Sequence, residues 1–507
     1  MKDCVAALDY GTSGVKAAVF GLDGQTLGIA SRELPIHLGP NGAALQPIDA
    51  VFTAGASALA EAVDRAAVQP EQVRALGITQ QRSTFVPVGG DGQPLMDSYI
   101  LWMDLRGVPY VEQALREGRV CEERFYTIGG LSMRKYVNPW CKILWLRAER
   151  PDVYAAASRF ESMQTVLLRQ LGAVDPPLDR STASPFGLMD LDRAVWSEEL
   201  CDCFDLSPRQ FSPLASGGTV VGRLAPGPAQ RMRLNPGTPL VLGGGDQSCA
   251  AIGAGAVHPR EVFIGLGTGA CVMVGLDRPL RDPRHTVSCI FHAIPGKWEI
   301  EGHTQASGVV FKWFRDQFGQ AEIAAAGHCD PYDLLTSLAT TIPPGADGLL
   351  FLPMLNGSTH PEIHPEARGA IVGLGLQHGR GHVVRALIEG VSLEIRWILE
   401  RIAEIVGGVD RIRLAGGASR STLWNQINAN ICNLPVHRAA TADAAVLGAA
   451  IQAGIGVGLF RDVQTACDAM ARVSETYEPE PAVAAHYDEV FGRFMAVYRA
   501  LLSPGAA

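Results

Sequence analysis

The chain opens on an apolar run, Val5-Ala6-Ala7-Leu8. It breaks at Asp9-Tyr10-Gly11-Thr12-Ser13-Gly14 and resumes from Val15 to Phe20. Leu22-Asp23-Gly24-Gln25 then turns it into a third run, Thr26 to Ala30. Short apolar runs joined by polar, glycine-bearing breaks predict a β-meander rather than a strand feeding a helix. Asp49 to Ala67 is alanine-rich, with apolar residues three and four apart, and reads as a helix. Val73 to Ile78 is a strand that ends in the polar cluster Thr79-Gln80-Gln81-Arg82-Ser83-Thr84, after which Phe85 to Val88 continues. Thr238 to Gly245 is a strand running into Asp246-Gln247, with a small-residue helix expected over Ala250 to Val257.

Half a chain later the opening pattern recurs. Glu261 to Leu266, Gly267-Thr268-Gly269 and Ala270 to Val274 again read strand, turn, strand. A repeat on that scale predicts two similar lobes, not a solenoid, whose period is about 20–50 residues. Each lobe would bring one such hairpin to a shared cleft. A helix is expected from Gln305 to about Phe318. A longer one spans His382 to Val406, with Val383, Leu387, Val391, Ile395, Ile398, Ile402 and Ile405 on its core face. Arg411 to Ala415 is a strand ending in Gly416-Gly417-Ala418-Ser419. Helices follow at Thr422 to Cys432 and Asp443 to Gly458.

Composition narrows the classes. At 507 residues the chain exceeds the size at which a single core stops growing, about 250–300 residues. It is 47% hydrophobic and 19% charged, which is globular. The formal net charge of −9, with no basic block, argues against nucleic acid or an anionic membrane as partner. No apolar run approaches the roughly 20 residues of a membrane span. Met1-Lys2-Asp3 leads straight into a strand with no visible signal peptide, so the expected location is cytoplasmic. Eleven scattered cysteines, with Cys201-Asp202-Cys203 the only close pair, read as buried free thiols in a reducing compartment.

The residue chemistry of the breaks is suggestive. Glycine lets backbone approach an anion closely. Exposed N–H groups with the hydroxyls of Thr12 and Ser13 suit phosphate oxygens. Asp9, at a strand end, suits Mg²⁺, which takes few carboxylates and keeps several waters. The bland alternative is a hairpin whose small residues only satisfy the turn. For Asp246 that alternative is a helix N-cap.

Four stretches, in this order and at these distances, resemble the FGGY family of carbohydrate kinases. They are Asp9-Tyr10-Gly11-Thr12-Ser13-Gly14, Gly243-Gly244-Gly245-Asp246-Gln247, Gly265-Leu266-Gly267-Thr268-Gly269, and Ala415 to Ser421 with Leu447-Gly448-Ala449-Ala450. The resemblance covers about residues 3–460. It implies an α/β chain with the two-lobed actin/hexokinase-like (ribonuclease H-like) ATPase fold, each lobe a mixed sheet flanked by helices. The implied division is an N-terminal, sugar-binding lobe over residues 1–254, a nucleotide-binding lobe over 255–480 and a helical tail over 481–507. The implied activity is ATP-dependent phosphorylation of a small sugar or polyol. By position, Asp9 matches the Mg²⁺-associated carboxylate, and Gly11, Thr12 and Ser13 match the first phosphate loop. Gly267 and Thr268 match the second loop, Gly416, Gly417 and Ala418 the adenosine-binding glycines, and Asp246 the catalytic base. Dimers are common in the family, so a homodimer is the assembly to look for.

The acceptor segment departs from both best-matching patterns. Gln81-Arg82 resembles glycerol kinases, which carry Glu where this chain has Ser83, whereas xylulokinases carry Met-His at Arg82 and Ser83. The Gly243–Asp246 stretch and residues 412–450 look more xylulokinase-like. A ketopentose such as xylulose is therefore the expected acceptor, with glycerol, a tetritol or a sugar acid as alternatives. Gln81, Arg82, Ser83, Asp246 and Gln247 are the candidate acceptor contacts. Asp104, in Trp102-Met103-Asp104-Leu105-Arg106, reads either as a hydroxyl ligand or as half of an Asp–Arg structural pair. Asn356-Gly357-Ser358-Thr359-His360-Pro361 replaces a Gly-Glu-Arg-Thr-Pro run common in xylulokinases and glycerol kinases, and His360-x-Glu362-x-His364 is a weak metal signal. A dinucleotide-dependent oxidoreductase fits poorly, since Gly265-x-Gly267-x-Gly269 leads into a strand rather than a helix. An actin-like or chaperone-like ATPase without an acceptor is opposed by the polar cluster at Gln81 to Ser83.

Overall fold

In the computed structural model the described residues are 2–134, 137–325, 327 and 329–502; residues 503–507 of the expected tail lie outside them. The chain forms two compact units. The first comprises Met1–Val257, Gly275–Glu299 and Ala444–Arg472; the second comprises His258–Val274, Ile300–Asp443 and Val473–Ala507. The units are thus not linear halves. Two segments from the C-terminal half fold with the first unit, and their reason is apolar surface, as follows.

The first unit is built on a six-stranded sheet in the order Val220–Arg223, Pro239–Gly245, Val73–Gln80, Cys4–Tyr10, Gly14–Gly21, Thr26–Glu33. The three central strands run parallel, and the meander Cys4–Tyr10, Gly14–Gly21, Thr26–Glu33 is antiparallel. Side chains alternate across a strand. Ala6, Leu8 and Tyr10 pack with Val51, Leu59 and Ala62 of the helix Ile48–Ala66. Val5 and Ala7 pack on the other face with Cys249, Ile252, Val446, Ala449 and Ala450. Because both faces of these strands are covered, they read as continuous apolar runs. The helix Ala444–Gly456 belongs to this unit because it covers the second face. A second, antiparallel sheet, His37–Leu38, Ala44–Pro47, Ser98–Ile100, Phe85–Val88, Arg159–Ser162, completes the unit.

The second unit repeats the topology. The hairpin Glu261–Leu266/Ala270–Leu276 is antiparallel, and Glu261–Leu266 runs parallel to Arg411–Ala415, which runs parallel to Val436–Ala439. The long helix Arg380–Val406 buries Leu387, Val391, Ile395, Ile398 and Ile402. Two such mixed sheets flanked by helices are the pair expected of the actin/hexokinase-like class. Some boundaries move. The helix expected from Ala250 begins at Asp246, directly after the strand, and ends at Gly253. The helix expected from Gln305 begins at Gly308, after Ser307 at non-helical φ −128, ψ −98; the Gln305 amide donates to Thr359 Oγ1, 2.8 Å away. All eleven cysteines are free thiols, and no described helix is long and apolar enough to cross a membrane.

Candidate functional site

The parallel strands of the first unit end in register. Asp9 stands opposite Thr79, and Thr79 opposite Gly244; Tyr10 stands opposite Gln80, and Gln80 opposite Gly245. The residues that follow, Gly11–Ser13, Gln81–Ser83 and Asp246–Gln247, therefore emerge together at the carboxyl ends of neighbouring strands. Open α/β sheets bind ligands at that edge.

The first turn is closed by the Gly11 N–H donating to the Gly14 carbonyl at 3.0 Å. Ser13 is exposed, while Gly11 and Thr12 are half-buried. Thr12 does more than line the turn. Its hydroxyl accepts from Trp102 Nε1 at 2.9 Å and donates to Gln81 Oε1 at 2.8 Å. Gln81 Nε2 donates to Gln46 Oε1 at 3.0 Å, and Gln46 Nε2 returns to the Thr12 carbonyl at 3.0 Å. A closed ring of hydrogen bonds thus ties the turn to the Gln81 segment. Sequence reasoning expected Thr12 on phosphate and Gln81 on the acceptor; the structure joins the two side chains to each other, with Gln81 buried. Trp102 and Gln46 lack any local signal for this role.

Arg82 follows Gln81. Its guanidinium lies 3.3 Å from Glu299 Oε1, and its Nε is 3.8 Å from Asp246 Oδ1. The Arg82 side chain is 10% exposed, Asp246 24% and Glu299 fully buried. A guanidinium among carboxylates is a strong orienting element. Behind Glu299, burial and Lys297 push the His292 imidazole down to about 3, so it is neutral. Its Nδ1 accepts from the Ile294 N–H at 3.0 Å, which assigns the proton to the Nε2 that faces Glu299 at 3.8 Å. Glu299 was missed in the sequence because it stands 217 residues from Arg82. Ser83 is buried in left-handed backbone, φ +58, where the chain turns between Val73–Gln80 and Phe85–Val88. A non-glycine residue held there marks a site the surroundings over-determine.

Asp246 is the first residue of the helix Asp246–Gly253, and Gly245 occupies the cap with no side-chain capping bond. Asp246 thus stands one residue inside the cap position that the alternative reading gives it. Gln247 Nε2 lies 3.4 Å from Asp246 Oδ2. The backbone leading to Asp246 is fixed from behind. The Gly245 N–H donates to Ser181 Oγ at 2.9 Å, and Ser181 Oγ donates to Asp179 Oδ1. Burial raises the Asp179 carboxyl to about 6. Gly244, at φ +128, is the position where a Cβ would come within 2.5 Å of Ala293 Cβ.

Asp104 resolves to the structural pair. It is fully buried, accepts from the Ala44 N–H at 2.9 Å, and holds Arg106 Nη2 at 2.7 Å. Arg106 in turn lies 3.8 Å over the Trp145 ring. Its carboxylate is committed to the protein rather than presented to an acceptor.

In the second unit Gly267 and Thr268 are exposed. Their carbonyls accept from the Gly308 N–H at 2.9 Å and the Ser307 N–H at 2.8 Å, which anchors the turn to the start of the helix Gly308–Phe318. Gly265 pairs with Ala415, so the turn and Gly416–Ala418 share one end of the parallel strands. Gly416 sits at φ +101 against the Leu266 carbonyl, where a Cβ would be 2.4 Å from the oxygen. Gly417 faces open space. The segment is held by Ser419 Oγ donating to the Gly416 carbonyl at 2.7 Å and Asn425 Nδ2 donating to the Ser419 carbonyl at 2.8 Å. The loop at Asn356–Thr359 is tied back to the strand Trp298–His303: Thr359 Oγ1 lies 3.4 Å from the His303 carbonyl.

Known proteins match this architecture over almost the whole chain. The model of the FGGY carbohydrate kinase N-terminal domain matches residues 4–253, and that of the C-terminal domain matches residues 262–457. An autoinducer-2 kinase of Salmonella choleraesuis is 29% identical, over 98% of this chain and 95% of its own length. A gluconokinase of Bacillus subtilis is 27% identical, over 95% and 92%. A ligand-bound xylulose kinase from Lactobacillus acidophilus superposes with a TM-score of 0.88 over 99% of each chain at 24% identity, a likeness of fold. With both domains matched in order, and with the strand-end edges built as described, the chain belongs to the FGGY family of carbohydrate kinases and is a sugar phosphotransferase that uses ATP.

Proposed function

We propose that the enzyme phosphorylates a hydroxyl of a neutral ketose, a ketopentose such as xylulose, with Asp246 as general base. The observation that carries this reading is the Asp246–Arg82–Glu299 cluster. Two carboxylates face one guanidinium, and the adjacent His292 is neutral. The cluster sets two carboxyl groups against one guanidinium, so a sugar acid would add a third carboxyl group to it. A neutral polyhydroxylated acceptor would instead find donors in Arg82 and Gln247 and an acceptor in Asp246.

In this reading the first unit holds the acceptor and the second holds the nucleotide. Asp246 accepts the proton of the attacking hydroxyl as its oxygen bonds to the γ-phosphorus and the bond to ADP breaks. Such a base contributes about 10²–10⁴-fold. Arg82 orients the acceptor and Glu299 fixes Arg82. Gly11 and Ser13, in the turn after Cys4–Tyr10, and Gly267 and Thr268, in the turn after Glu261–Leu266, are each proposed as phosphate-contacting residues. Thr12 acts chiefly through its bonds to Trp102 and Gln81. Gly416, Gly417 and Ala418 take the adenosine. Asp9, an oxygen donor at a strand end beside the first turn, suits Mg²⁺, which when bound neutralises phosphate charge.

The test is ADP release with xylulose, glycerol, a tetritol and gluconate, run on the parent and on Asp246→Asn. Xylulose is expected to give the highest kcat/KM, at least about tenfold above gluconate. Asp246→Asn is expected to lose at least about 10²-fold in kcat while still binding ATP. Gluconate as the better substrate overturns the neutral-acceptor reading, and near-parent turnover in the variant overturns the base.

A further inference from the structure

Immediately behind the second glycine turn, two neighbouring strands bring a thiol, a carboxyl and an imidazole together. Cys271 lies on the strand Ala270–Leu276, and Glu301 and His303 on Trp298–His303 beside it. One ligand atom from each lies within 4.8 Å of the others. Cys271 and Glu301 are buried, and His303 is partly open to solvent, with its Nε2 3.2 Å from Glu301 Oε1.

We propose that Cys271, Glu301 and His303 bind one divalent cation of the zinc class, with the remaining position left to water. The donor set selects the ion. Mg²⁺ and Ca²⁺ take oxygen ligands, whereas a thiolate with an imidazole suits zinc and its neighbours. Zinc bonds of about 2.3 Å to sulfur and 2.0–2.2 Å to nitrogen and oxygen put tetrahedral ligands roughly 3.3–3.6 Å apart. The nitrogen–oxygen gap of 3.2 Å is close to that range, and since no pair of ligand atoms is more than 4.8 Å apart, a side-chain shift of about 1 Å closes the set.

The backbone that carries His303 is held in place. Its N–H donates to His360 Nδ1 at 3.2 Å, and Thr359, next to His360, accepts from Gln305 Nε2 at 2.8 Å. The histidine pattern seen in the sequence therefore serves here through His360, as a support. His364 turns away to Glu362 and Glu366.

The location gives the ion a consequence. Cys271 pairs with Gly265 across the hairpin, and Gly265 opens the Gly265-Leu266-Gly267-Thr268-Gly269 stretch. Thr304, next to His303, donates its N–H to the Ala270 carbonyl and accepts from the Ala270 N–H, both at 2.9 Å. Gly269 lies so close to the Thr304 carbonyl that a Cβ would be 2.4 Å from it. A bound cation would cross-link the two strands on which the turn rests. The competing reading is a plain Glu301–His303 contact beside a buried thiol.

The experiment uses the full chain, stripped with a chelator and then titrated with Co²⁺ and with Zn²⁺. Binding of one equivalent is expected, with a thiolate-to-cobalt charge-transfer absorption in the near ultraviolet that Zn²⁺ displaces. Cys271→Ser is expected to abolish that absorption. His303→Ala, at a partly exposed position that tolerates truncation, is expected to weaken Co²⁺ binding by at least about tenfold, the loss seen even for supporting residues. Cys121 and Cys329 are exposed competitors, so a Cys121→Ser/Cys329→Ser chain is expected to keep the band. No charge-transfer band in the parent, a band that survives Cys271→Ser, or an unchanged affinity in His303→Ala overturns the proposal.

Discussion

Replacing Gly448 by alanine tests whether helix packing positions Asp246, the proposed base. Gly448 lies on the helix Ala444–Gly456, and a Cβ there would sit 1.8 Å from the carbonyl oxygen of Cys249 and 2.6 Å from its carbon. Cys249 belongs to the helix Asp246–Gly253, one turn from Asp246. Ordinary contact begins near 3.4 Å, so one helix must retreat by roughly 1.5 Å. The neighbouring close approach holds it in place, since a Cβ on Gly253 would be 1.9 Å from the Ala444 carbonyl. Overpacking of this kind costs about 1–3 kcal/mol of stability. A shift of about 1 Å in a reacting group costs about 10²-fold in rate, or about 2.7 kcal/mol of barrier. Gly448→Ala should therefore lower kcat about a hundredfold in an ADP-release assay and lower Tm by several degrees in calorimetry. Gly492→Ala is the control. It is a helical position where an added Cβ meets nothing, and it should leave kcat unchanged and Tm equal or higher. A variant with unchanged Tm refutes the contact argument. One with lowered Tm and parent-like kcat shows that this helix does not fix Asp246.

Other outcomes follow from the same geometry. Thr12→Val removes the hydroxyl between Trp102 and Gln81, at a cost of about 1–3 kcal/mol for partners left unmatched. It should raise the acceptor KM as well as slow nucleotide turnover; an unchanged acceptor KM in steady-state kinetics would reject the ring as a link between the two. Glu394, buried on the helix Arg380–Val406, has its carboxyl raised by burial from 4.5 to about 8. The folded state therefore keeps a proton that the unfolded state releases first. Its contribution is full below about pH 4.5 and is lost as pH rises through about 8, a loss on the order of 4 kcal/mol. Glu394→Gln should match the parent in denaturant melts near pH 5 and exceed it near pH 8.5; parallel curves at both pH values would refute the assignment.

The legible part of the chain was the part written in local pattern. The meander, the second hairpin and the long helix announce themselves because strand and helix periodicities are short-range. The recurrence of the hairpin half a chain later carried the fold, since the second unit repeats both the antiparallel pair and its parallel neighbours. Membership of Ala444–Arg472 in the first unit was not legible, because an alanine- and glycine-rich helix shows only that it packs closely and not against what. The same limit governs the candidate site. Arg82 and Asp246 stand out as polar residues at strand ends, yet what fixes the charge around Arg82 is Glu299, which reaches it through tertiary contact alone. Conversely, Asp104 and Gln81 carry the right chemistry for an acceptor contact but are used inside the protein, one to hold Arg106 and the other to hold Thr12. A polar residue beside a site is thus as often its scaffold as its tool. What separates the two is where its hydrogen bonds go and how far it stays open: Asp104 is fully buried, whereas the Arg82 side chain, 3.3 Å from Glu299 and 3.8 Å from Asp246, keeps 10% exposure, which is why the proposed acceptor contact is placed on Arg82.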